Sequence, residues 1–66
     1  MIIIRAGQRY VSPDGSDLLV QCINDQEVYY AGRRNGSIVW EYGHRMSKRP
    51  LEAILEKDGW KERHDC

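Results

Sequence analysis

No stretch of this chain approaches the roughly 20 consecutive apolar residues that a bilayer-crossing helix needs, which excludes such a span. The opening apolar run, residues 2–4, is cut off by Arg5 and Gly7 and is too short for a secretory signal core. A cytoplasmic protein with no membrane partner is therefore expected. Charge of one sign is also missing, since ten Lys and Arg balance ten Asp and Glu. Cysteine is scarce, with only Cys22 and Cys66. A disulfide needs Cα atoms within about 7 Å, and nothing in the spacing places these two together. Both read as reduced thiols, Cys22 as a small apolar residue within a strand and Cys66 as a terminal thiol able to cross-link chains in air.

The same scarcity bounds the chemistry. Cys22, His44, His64 and Cys66 are the only soft metal-ligand types, and no Cys-x2-Cys pair is present. That spacing fits no zinc knuckle, so neither metal nor cofactor is expected. No Gly-rich phosphate loop or His-Glu-x-x-His helix occurs. Glu52 and Glu56, one turn apart, read as a solvated helix face. A thiol in a strand interior or at a terminus holds no geometry with His44 or His64 for nucleophilic attack. The chain is read as a non-enzyme without catalytic residues.

Its 66 residues make a single domain spanning residues 1–66, and a chain this short buries only about 60% of the surface its unfolded form exposes. A binding surface is therefore a better prior than a deep cleft. The organising stretch is residues 27–42, two β-prone arms around Asn35-Gly36. Val28, Tyr29 and Tyr30 precede the turn, while Ile38, Val39, Trp40 and Tyr42 follow it. Asn-Gly suits the positive-φ positions of a type I′ turn, which predicts a tight hairpin.

Elsewhere the pattern predicts a first strand over residues 2–11, bent or bulged at Gly7. A type I turn follows at Ser12-Pro13-Asp14-Gly15. The next strand covers residues 18–23, with Leu18, Val20 and Cys22 on one face and Leu19, Gln21 and Ile23 on the other. Asn24-Asp25-Gln26 forms a tight connection. Gly43 is expected to end the sheet run, leaving residues 44–50 as a basic crossover. Pro50 fits only a first helical turn, and Leu51, Ile54 and Leu55 follow at helical spacing. A helix over residues 48–57 is predicted, with Ser47 as N-cap and Gly59 as a left-handed C-terminal stop that lays Trp60 against Leu55. Residues 61–66 fray, or residues 60–63 form a short last strand.

The fold class is thus mainly β: four to five antiparallel strands in a small, partly open barrel with one short C-terminal α-helix. Gly7-Gln8-Arg9-Tyr10, Val28-x-Tyr30, Trp40 and the Leu51-x-x-Ile54-Leu55 helix resemble the layout of small SH3-like barrel proteins encoded by phages and prophages. There a Gly-x-x-Tyr opening leads into a meander, an aromatic closes the last long strand and a short helix caps one end. The resemblance implies a binding module for nucleic acid or protein. The basic insertion at residues 44–49 and the lack of an acidic peptide-binding loop depart from recognition of proline-rich peptides.

Charge is unevenly placed along the chain. Residues 33–49 hold five basic side chains against one acid, Glu41, and the rest of the chain offsets that surplus. Nucleic-acid sites on small β domains combine cations for phosphates with rings for bases. Arg33, Arg34, Arg45, Lys48 and Arg49 are the candidate cations, on the hairpin tip and crossover. Tyr29 and Tyr42 are the candidate rings, and alternation sends one of Tyr29 and Tyr30 inward. The alternative is an accessory role on a host protein, or a homodimer pairing through an edge strand at residues 2–4.

Overall fold

The structure, a computed structural model, describes residues 2–63. The elements are β1 (Arg9–Val11), β2 (Asp17–Asn24), β3 (Glu27–Arg33), β4 (Glu41–Ser47), α1 (Lys48–Lys57) and β5 (Lys61–Arg63). All five strands join one antiparallel sheet in the order β4-β3-β2-β1-β5. The protein is therefore mainly β with one short helix, and the ladder has two ends, β4 and β5. No helix among the described residues is long and apolar enough to cross a membrane.

Local chemistry explains the turns. At Ser12-Pro13-Asp14-Gly15 the Gly15 N–H donates to the Ser12 carbonyl at 3.0 Å. The Ser16 N–H is taken by Ser12 Oγ and Asp14 Oδ1, each at 3.0 Å, so side chains satisfy a donor that the turn leaves over. Asn24 and Glu27 pair directly, which leaves Asp25-Gln26 as a two-residue hairpin loop with Asp25 at φ 60.

The helix forms over the predicted residues. Ser47 holds the N-cap position but makes no side-chain cap bond; the Lys48 N–H donates instead to the Gln26 carbonyl at 2.7 Å. At the other end Trp60 N–H reaches Leu55 O at 2.9 Å and Gly59 N–H reaches Glu56 O at 3.2 Å. With Gly59 at φ 77 this is a Schellman stop. Leu51 and Leu55 are buried against the sheet, each stabilising the fold by about 1.5–3 kcal/mol. Ile54, the third member of the stripe, stays partly in solvent. Helix and sheet enclose Ile4, Tyr10, Leu18, Val20 and Val28, with Ile2, Ile23, Tyr30, Met46 and Trp60 packed around them.

Four expectations need correction. Residues 2–4 are not a strand: Ile4 is buried and its N–H donates to Glu52 Oε2 on the helix at 2.9 Å. A dimer paired through that segment as an edge strand therefore has no strand to use. In β2 the register skips at Gln21, so Ile23 opposes Val28 and Cys22 opposes Tyr29. One extra residue flips every later side chain. Ile23 thus joins Leu18 and Val20 on the core face, while Cys22 is exposed. Asn35-Gly36 does turn the chain, with Ser37 N–H on Arg34 O at 3.0 Å. Only Gly36 has positive φ, however, so the turn is not type I′, and residues 34–40 form a loop. Strand β4 then runs through Gly43 to Ser47, because Gly43 at φ 89 absorbs a bulge opposite Ala31. The expected crossover is mostly strand.

Candidate nucleic-acid interface

Pairing partners in an antiparallel ladder share a face, and side chains alternate along each strand. The core face carries Tyr10, Leu18, Val20, Val28 and Tyr30. Register then assigns the opposite, outer face. It holds Lys61 and Arg63 from β5, Arg9 from β1, Asp17 and Cys22 from β2, Tyr29 and Arg33 from β3, and Tyr42 and Arg45 from β4. Five cations thus share a face with two carboxylates, Asp17 and Glu27, across strands spaced about 4.8 Å apart.

Asp17 is the anchor of this face, only 5% exposed. Its Oδ2 accepts from Arg33 Nε at 3.0 Å and from Arg33 Nη2. Arg9 Nη2 lies 3.4 Å from its Oδ1. Both guanidiniums sit over the Trp40 ring, 5.5 Å from the centroid for Arg9 and 4.9 Å for Arg33, within cation–π range. Trp40 is drawn out of the expected strand to cover this pair. Burial pushes the Asp17 carboxyl up, but the Arg33 hydrogen bonds and the Arg9 and Arg33 charges outweigh it, so Asp17 titrates below the usual range. It stays ionised and fixes two cations in place. A guanidinium carries five N–H donors, and Asp17 occupies two of those on Arg33.

The other rings divide as alternation requires. Tyr30 packs against the core and stacks on His44, centroids 5.3 Å apart. Tyr29 lies on the outer face, its hydroxyl donating to Glu27 Oε2 at 3.1 Å. Arg45 sits 3.9 Å from the same carboxylate, in the open. Tyr42 is 66% exposed.

Of the residues singled out from the sequence, Arg33, Arg45, Tyr29 and Tyr42 come together on this face. Arg34 lies in the loop after β3. Lys48 and Arg49 open α1, beside the Asp25-Gln26 turn at the far end of β3 from Arg33. That is about 20 Å along a strand rising some 3.3 Å per residue, so hairpin tip and crossover do not merge into one basic patch. Sequence reasoning missed Arg9, Lys61, Arg63 and Trp40. The i, i+2 spacing of Lys61 and Arg63 was a signal that both sit on one face. Among the described residues no group of three or more His, Cys, Asp or Glu could hold a metal. His64 and Cys66 lie outside the described residues. Comparison with protein-family models, curated proteins and solved structures returned no match.

Proposed function

We propose that this protein is a non-enzymatic binding module of the SH3-like kind found in phages and prophages. In this reading it acts in the cytoplasm and takes single-stranded nucleic acid on the outer face of its sheet. The observation that carries the reading is the register, which sets Arg9, Arg33, Arg45, Lys61 and Arg63 beside Tyr29 and Tyr42 on one surface. Cations there track phosphates, and a ring as open as Tyr42 offers a stacking platform contributing about 1–3 kcal/mol per base. Trp40 serves differently, orienting two guanidiniums instead of receiving a base. A four-strand meander whose fifth strand returns to β1 after a short helix supports the SH3-like likeness.

Titration with fluorescent single-stranded oligonucleotides at several salt concentrations tests the proposal. The affinity should fall with salt by a log–log slope of about −0.7 per phosphate contacted. Arg45→Ala should lower the slope's magnitude by about that amount, and Tyr42→Ala should weaken binding about 5- to 150-fold with the slope unchanged. Absence of salt-dependent affinity for any oligonucleotide removes the reading.

A further inference from the structure

Between the sheet and the helix lies an apolar groove of about 300 Å³ that reaches Asp17 and Arg33 at the edge of the outer face. Tyr30 and Met46 form its sheet wall, Leu51 and Ile54 its helix wall, and Trp60 closes one end. Arg34, Glu41 and Asp58 also line it. The helix wall is incompletely covered, since Ile54 is 42% exposed.

The same chain presents an object of matching chemistry. In the loop of residues 34–40, Ile38 is 91% exposed and Val39 is 65% exposed. Both are β-branched residues that the sequence marks for a strand, yet they join no ladder. Arg34 at the start of this loop and Glu41 just after it both line the groove while Ile38 and Val39 do not, so the apolar tip hangs beside a slot that it does not fill. Among the described residues neither Arg34 nor Asp58 makes an ion pair.

We infer that the groove receives Ile38 and Val39 of a second copy of this chain, in a reciprocal exchange of loops about a two-fold axis. Because tip and slot are neighbours on one surface, an axis beside the groove lets each tip enter the partner's slot and closes the assembly at two. The exchange also brings Arg34 of each copy toward the partner's Asp58. Self-association of this kind differs from edge-strand pairing, because the contacts are side chains in a groove and not a shared ladder. The side chains it uses, Ile38, Val39, Ile54, Arg34 and Asp58, are not those of the nucleic-acid reading, although the groove reaches Asp17 and Arg33 of that face.

Sedimentation velocity without nucleic acid, from micromolar to millimolar protein, tests it. The wild-type chain should pass from monomer to dimer. Ile38→Asp and Ile54→Asp both alter side chains exposed in the monomer, so circular dichroism melts should stay near wild type. Each should raise the dimer dissociation constant at least about 100-fold, because two apolar contacts are lost per dimer. Arg34→Glu or Asp58→Arg alone should weaken association about 10-fold, and the two combined in one chain should restore it. A wild-type chain that stays monomeric at millimolar concentration overturns the inference. So does a dimer insensitive to both aspartate variants, or a charge swap that fails to restore association.

Discussion

Replacing Asp17 by Asn keeps the side chain's shape and removes the charge on which two guanidiniums depend. The wild-type carboxylate is 5% exposed, while the Arg9 and Arg33 side chains are 23% and 28% exposed. Removing one partner of a fully buried ion pair costs about 3–5 kcal/mol. Here the arginines can swing partway into water, which lowers the expected loss to about 2–3 kcal/mol. A domain of this size has a total stability of only about 3–10 kcal/mol, so the variant should be visibly weakened. At 4–8 °C per kcal/mol, its melting temperature should fall by about 10–20 °C. The pH dependence gives a second readout. Asp17 titrates below its unfolded value of about 3.9 in the folded state, so its stabilisation is complete above that pH and fades as pH falls through the folded value. Urea midpoints of the wild type should therefore drop below about pH 4, and those of Asp17→Asn should change less there. A variant melting within about 2 °C of wild type, a shift worth well under 1 kcal/mol, would refute the anchoring role.

Other perturbations test the frame around that anchor. Leu55→Ala should cost about 2–5 kcal/mol, because Leu55 is buried where helix meets sheet; urea denaturation gives the value, and a loss below about 1 kcal/mol would mean the helix does not complete the core. Gly59→Ala should cost about 1–2 kcal/mol, since φ is 77 there and a Cβ would lie 3.3 Å from Pro13 Cγ. Cys22 should react with a thiol reagent in the folded protein about as fast as in urea, because the bulge at Gln21 turns it outward, and protection by folding would contradict that register.

Much of the architecture could be read from local patterns. The helix, its Gly59 stop and the Ser-Pro-Asp-Gly reversal each depend on chemistry within a few residues, and each formed where predicted. The misreadings arose where distant contacts overrode local preference. Ile2, Ile3 and Ile4 have strand propensity, but Glu52 supplies the Ile4 N–H with a partner and the core takes the side chain. Ile38, Val39 and Trp40 look like a strand, but Trp40 is drawn over Arg9 and Arg33. Alternation through residues 18–23 assumes an unbroken ladder, and the bulge at Gln21 carries no Gly or Pro to announce it. For the same reason only part of the outer face was legible. Arg33, Arg45, Tyr29 and Tyr42 belong to the hairpin, whereas Arg9, Lys61 and Arg63 reach it through the β5 to β1 pairing between distant segments.

The assignment of a ligand to the outer face is open to direct measurement by amide chemical-shift mapping at low salt during titration with a short single-stranded oligonucleotide. Shifts clustered at Arg9, Tyr29, Arg33, Tyr42, Arg45, Lys61 and Arg63, and reversed by added salt, are the expected result. An unchanged spectrum, or shifts confined to the helix and the groove at Leu51, Ile54 and Trp60, would contradict it.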